Sequence, residues 1–189
     1  MIARLQKWIK RLTQKPFPYF KYHPDPFASL SMEKRTGICD CCGKETPFIY
    51  ETSFYAIKRP DTLCPWCIAN GKAAAKYNGK FNTSDPLYAA GIPEYIIKKV
   101  CERTPGYSSW QEERWLSHCN DACAFHGDAP KHELIAFGGE ELKMFLFERL
   151  MSQEDWEQLL ENYTKGGNPA VYKYKCLKCG KVLFDIDNT

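Results

Sequence analysis

Hydrophobic positions along this 189-residue chain fall into short runs of different period, and the polar residues between them mark where one element gives way to the next. Over residues 1–15, Ile2, Leu5, Trp8, Ile9 and Leu12 recur at helical spacing among Arg4, Lys7, Lys10, Arg11 and Lys15, which predicts a basic amphipathic helix. Pro16, Pro18, Pro24 and Pro26 then frame Phe17, Tyr19, Phe20 and Tyr22 in an extended aromatic strap that cannot be helical. The run from Pro47 to Ile57 has strand character, and Ile68 to Tyr77 consists mostly of helix formers. Pro93 opens a helix over Glu94 to Arg103, which Thr104-Pro105-Gly106 ends.

Ser109 and Glu112 read as the capping box of a helix carrying Trp110, Trp115 and Cys119. Gly138-Gly139 precedes an apolar-rich helix with Leu142, Phe145, Leu146 and Leu150, and Ser152 with Asp155 caps one bearing Trp156, Leu159 and Leu160. Lys165 to Pro169 breaks the chain before two β-prone runs, Val171–Tyr174 and Val182–Phe184. The order predicts an α+β fold in which short β-hairpins flank a helical middle region. The expected organisation is an extension over residues 1–15 and a single domain over 16–189.

The cysteines change this picture most. Cys39, Cys42, Cys64 and Cys67 form two C-x-x-C pairs around the strand-like stretch, with the second pair where a helix begins. A knuckle, a hairpin and a helix N-terminus converging on one Zn²⁺ describe a treble-clef site. Cys39-Asp40-Cys41-Cys42-Gly43-Lys44 has an echo in Cys176-Leu177-Lys178-Cys179-Gly180-Lys181, and the Gly after each second Cys supplies the positive φ a knuckle needs. The second pair lies between the two C-terminal β-prone runs, as in a zinc ribbon. Its missing ligands are expected from Cys119 and Cys123, which an i, i+4 spacing would put on one helical face. His118, Asp121 or His126 could replace one of them, and a buried apolar role for Cys119 and Cys123 is the alternative. Cys41 and Cys101 are spare. Cys64-Pro65-Trp66-Cys67 also matches a thioredoxin-type redox pair, but no βαβ pattern accompanies it.

Ten cysteines with no signal-peptide-like apolar run favour a reducing compartment and metal binding over a disulfide scaffold. No stretch approaches the roughly 20 apolar residues of a membrane span. A soluble cytoplasmic protein is therefore expected, with no stable membrane insertion. The formal net charge of +3 is unevenly spread. Between Glu133 and Glu161 the acids Glu133, Glu140, Glu141, Glu148, Glu154, Asp155, Glu157 and Glu161 face only Lys143 and Arg149. Such a block argues against nucleic acid as the partner and for a basic protein, with Glu140, Glu141 and Glu148 as candidate contact residues. Nucleophile elbow, Walker loop, dinucleotide and His-Glu-x-x-His motifs are all absent, and an all-cysteine site has no position for water, so a non-enzyme is expected.

Several strings taken together resemble the CbrC family. They are Phe20-Lys21-Tyr22-His23-Pro24-Asp25-Pro26, Cys39-Asp40-Cys41-Cys42 and Leu63-Cys64-Pro65-Trp66-Cys67-Ile68-Ala69-Asn70-Gly71. To these add Arg103-Thr104-Pro105-Gly106-Tyr107 with Trp110-Gln111, Trp115 with His118-Cys119, and Cys176-Leu177-Lys178-Cys179-Gly180. The likeness runs from about Phe17 to the C-terminus, leaving the basic helix as an extension. The family's name links it to tolerance of a DNase colicin, and the resemblance implies a place beside polymorphic or contact-dependent toxins, where immunity proteins bind and neutralise them. The expected function is thus a non-catalytic, zinc-stabilised protein that binds a toxic domain, a nuclease by this analogy. Two other readings stay open: a nucleic-acid-binding zinc protein using the first helix, and a zinc enzyme with a mixed site near His118.

Overall fold

The structure is a computed structural model that describes residues 15–188. Apart from Lys15, the expected basic helix falls outside the described residues. The described residues form a mixture of helices and small antiparallel sheets built on three apolar cores. β1 (Met32–Glu33) pairs with β4 (Ile49–Tyr50), and β2 (Gly37–Ile38) pairs with β3 (Glu45–Thr46). Four helices follow: α1 (Pro65–Ala69), α2 (Lys72–Tyr77), α3 (Asp85–Ala89) and α4 (Glu94–Arg103). Then come β5 (Ser117–His118), β6 (Asp121–Ala122) and β7 (Ala124–Asp128). The helices α5 (Lys131–Ala136), α6 (Gly139–Glu148) and α7 (Gln153–Asn162) lead into β8 (Ala170–Lys175) and β9 (Val182–Asp187).

The strand-like run at 47–57 yields only β4 and an isolated pairing of Tyr55 with Lys80. The helix expected over 68–77 is split in two, because Gly71 adopts φ +76° and turns the chain between α1 and α2. Around α1 and α2 one core gathers Phe20, Met32, Tyr50, Phe54, Leu63, Ile68 and Phe81. The strap ties this core to its neighbour. Phe17 packs on Phe20, Phe27 and Phe48, while Tyr22 enters the second core beside α4, Tyr107, Trp115 and Phe125.

Among the described residues the order β7-β8-β9 makes the largest sheet, and the two-residue period of β8 divides its side chains between two cores. Ala170, Tyr172 and Tyr174 face the second core, and Val171 faces a third formed by α5–α7 with Leu134, Phe145, Trp156 and Phe184. The Ser152 capping box on α7 forms as its residues predict. No helix among the described residues is long and apolar enough to cross a membrane.

The helix expected after Ser109 does not form. Tertiary partners take over the backbone groups that helix would have used. The Asp187 carboxylate accepts the N–H groups of Trp110 (2.6 Å) and Gln111 (3.3 Å). The Arg114 N–H donates to Tyr107 Oη at 3.1 Å, and Tyr174 Oη donates to the Arg114 carbonyl at 3.1 Å. Trp115 is thereby drawn into the second core, its Nε1 donating to the Cys123 carbonyl at 3.0 Å. The chain then turns tightly at Cys119 and Asn120, both at φ +53°, between β5 and β6. Positive φ at both central residues is the habit of a type I′ hairpin turn, which Asn favours.

Candidate metal centre

Among the described residues, two groups of side chains bring four ligand atoms each within 4.8 Å of one another: Cys39, Cys42, Cys64 and Cys67, and His118, Cys119, Cys176 and Cys179. Zn–S bonds of about 2.3 Å at tetrahedral angles put sulfurs about 3.8 Å apart, so both groups have the size of a metal centre.

The two knuckles are built alike. Cys39 N–H donates to the Lys44 carbonyl (2.9 Å) and Gly43 N–H to the Cys39 carbonyl (2.7 Å). Cys176 N–H donates to the Lys181 carbonyl (2.8 Å) and Gly180 N–H to the Cys176 carbonyl (3.0 Å). Gly43 and Gly180 sit at φ +69° and +77°, so the sequence echo is an echo of backbone geometry. The first knuckle rides on the β2–β3 hairpin and the second on β8–β9.

In the first centre, Cys64 is the N-cap of α1, Pro65 occupies the first turn and Cys67 follows one turn in. Cys64 N–H donates to the Cys39 sulfur at 3.3 Å. The Asp40 carboxylate accepts from the N–H groups of Asp61 and Thr62, and Lys76 Nζ donates to the carbonyls of Asp40 (2.7 Å) and Cys41 (3.0 Å), which clamps the knuckle onto α2. A hydrogen bond from Cys64 holds the Cys39 thiol down to about 4, and the same bond drives the Cys64 thiol up. Burial pushes Cys67 up as well. Four thiolates this close repel one another, and a divalent cation is what allows all of them to shed their protons.

The second centre departs from expectation in one ligand. Cys119 and Cys123 share one face only in a helix, and here the chain makes a hairpin whose turn presents Cys119. His118 takes the place foreseen for Cys123: its Nδ1 lies 3.2 Å from the Cys119 sulfur and 3.3 Å from the Cys179 sulfur. Cys123 is fully buried in the second core, where burial lifts its thiol to about 12. Asp121 is engaged elsewhere, accepting from Lys21 Nζ (2.9 Å) and Tyr22 Oη (2.8 Å), and His126 lies outside the group. Burial raises the Cys176 thiol, but the amides of Cys179 and Lys178, helped by His118, outweigh it and bring the thiol down to about 6. The hydrogen bond with Cys179 raises Cys119 to about 11. Of the spare cysteines, Cys101 is buried, with its thiol raised to about 12 by desolvation, and Cys41 is half-buried beside the first centre.

Soft thiolates in sets of S₄ and S₃N suit zinc, and both groups are compatible with it. Either set is closed by four protein ligands, so zinc there would hold hairpins and a helix end together.

The acidic residues singled out from the sequence meet in a cleft of about 1000 Å³. Glu140, Glu141 and Glu148 line it from α6, and Asp85, Glu112 and Glu113 line it from α3 and the segment leading to β5. Trp115, Phe145 and Phe184 lie deeper, with Leu116 and Leu183 half-buried beside them. Arg114 and Arg149 both pair with the buried Asp185, whose carboxyl is nevertheless raised by desolvation. Lys181 pairs with Glu141 at 3.0 Å. Ser117 and Lys181 belong to the cleft wall, Ser117 directly precedes the ligand His118 and the Lys181 carbonyl accepts from the Cys176 N–H, so the metal centre and the cleft share a wall. Sequence reasoning missed Asp85 and Glu113 and assigned Glu112 a capping role, because only tertiary structure gathers them.

Comparison with protein families and with known sequences places the chain among known proteins. The model of the Uncharacterised protein family (UPF0167) matches residues 17–188. UPF0167 protein PA1536 of Pseudomonas aeruginosa is 47% identical over 176 residues, covering 92% of this chain and 98% of that protein. UPF0167 proteins Mb2317 of Mycobacterium bovis and MT2352 of Mycobacterium tuberculosis are each 33% identical over 183 residues, covering 93% of this chain and 95% of theirs. No solved structure matches. With the family model spanning nearly the whole described chain and these relatives matched almost end to end, the chain belongs to the UPF0167 family.

Proposed function

We propose that this protein is a non-catalytic, zinc-stabilised binding protein that neutralises a toxic domain, a basic nuclease, by holding it against the acidic cleft. The observation that carries the reading is the cleft itself: six carboxylates, three of them from the acidic block, surround an apolar interior. Charge complementarity of this kind accelerates association and selects the partner. The link to toxins rests on the resemblance to the CbrC family.

In this reading the first centre is a treble clef and the second a ribbon-type Cys₃His site, each zinc structural. His118 serves as a fourth ligand, which leaves no water position of the sort a hydrolytic zinc needs. An acidic face of this density also repels phosphate, which weighs against nucleic acid as the ligand.

Co-expression tests the proposal. Cells producing a cognate nuclease toxin should survive when this protein is present. The triple variant Glu140→Lys, Glu141→Lys, Glu148→Lys should lose most of that protection while still folding. Equal killing with and without the protein, or full protection by the triple variant, would overturn the reading.

A further inference from the structure

We propose that the cleft receives its partner as a basic amphipathic helix laid lengthwise between α6 and α3, apolar face inward, an inference that rests on the reading of the protein as one that binds a basic partner. The cleft is walled, and its apolar residues are recessed. Trp115, Phe145 and Phe184 are buried beneath exposed Asp85, Glu112, Glu140, Glu141 and Glu148. A flat basic surface would meet the carboxylates and never reach the apolar interior. A protruding element about as wide as a helix reaches both.

The size agrees. A helix about 10 Å across displaces roughly 80 Å³ per ångström of length, so a 1000 Å³ cleft holds two to three turns. Anchors at i, i+3/i+4 and i+7 would enter the cleft and cations on the flanks would meet the carboxylates, as in other helix-in-groove recognition. Part of the charge is uncommitted. Glu140 is paired with Lys143, Glu141 with Lys181, and Glu113 accepts from Tyr55 Oη, whereas Glu112 and Glu148 form no ion pair with any described residue. Met144, on the cleft side of α6, is 58% exposed, an adaptable apolar contact on the wall.

The test uses fluorescence anisotropy with the full chain and three synthetic 14-residue peptides. The first has the sequence of residues 1–14 of this protein, which carries four cations, no acid and an apolar stripe at helical spacing. The second is a permutation of the same residues without the stripe, and the third is the first with Gln6→Pro. The first peptide should bind at least tenfold more tightly than either control. Glu112→Gln combined with Glu148→Gln should weaken it about tenfold at low salt and much less at 0.5 M salt, and Met144→Ala should weaken it severalfold at any salt.

Equal binding of all three peptides, governed by salt alone, would overturn the helix while leaving an acidic docking face. No peptide binding with toxin protection intact would overturn the helix alone, and absence of both would overturn the functional reading too. A tenfold gain in peptide affinity on neutralising Lys7, Lys10 and Arg11 of the full chain would show its own first segment in the cleft and overturn the assignment to a partner.

Discussion

Substituting His118 and Cys123 in turn distinguishes a Cys₃His second centre from the Cys₄ set that spacing alone favours. Zinc in small structural sites binds with apparent energies of ~10–16 kcal/mol, so an equal share per ligand is about 2.5–4 kcal/mol, on the order of a hundredfold in affinity. His118→Ala should remove that share from the second centre and spare the first. The loss should appear as one zinc surrendered to a competing chelator that leaves the native protein's two in place. Cys123→Ser acts differently: it buries a hydroxyl in an apolar core, costing about 1–3 kcal/mol of stability, and keeps both metals. Plasma mass spectrometry after chelator competition counts the zinc, and urea unfolding followed by tryptophan fluorescence measures stability. A Cys123→Ser protein that loses one zinc, beside a His118→Ala protein that retains two, would refute the ligand assignment.

Other expectations concern stability and linkage. Cys64→Ser removes a metal ligand while leaving a good N-cap residue at the start of α1, and since one zinc rivals a domain's whole stability the product should be insoluble or molten by near-ultraviolet circular dichroism. His23 is fully buried, its ring nitrogens 2.9 Å from the Pro105 carbonyl and 2.7 Å from Ser29 Oγ, and burial lowers its pKa to about 4. The unfolded chain therefore takes up a proton first as pH falls, and His23 should cost about 2 kcal/mol of stability between pH 7 and pH 5. A His23→Gln protein should lack that increment in urea titrations at the two pH values. Arg149→Met leaves the buried Asp185 with only the exposed Arg114 at 3.5 Å and should cost about 3–5 kcal/mol, readable as a lowered urea midpoint. Stripping zinc from the second centre alone should weaken binding at the cleft, because Ser117 and Lys181 form part of its wall.

Legibility in the sequence followed how local each determinant is. The knuckles could be read because Cys-x-x-Cys-Gly encodes its own turn, and α4 and α7 because Pro93, Thr104 and the Ser152–Asp155 box lie within the elements they bound. The segment after Ser109 misled for the opposite reason. Its capping pattern is outcompeted by the Tyr107 hydroxyl nearby and by two strand residues distant in sequence, Tyr174, 60 positions from Arg114, and Asp187, 77 positions from Trp110. Losing that helix exchanged Cys123 for His118 at the second centre. The cleft left only half a trace: Glu140, Glu141 and Glu148 stand in one charge run, whereas Asp85, Glu112, Glu113 and Lys181 reach it from segments with no common pattern.

Neutralisation by binding requires no chemical step, and His118→Cys isolates that claim. The substitution keeps four zinc ligands and removes the one imidazole from the centre, so a protein verified to hold two zinc ions should protect co-expressing cells as well as the native chain does. Loss of protection in a His118→Cys protein that is folded and retains both metals would contradict the account and assign His118 a chemical role.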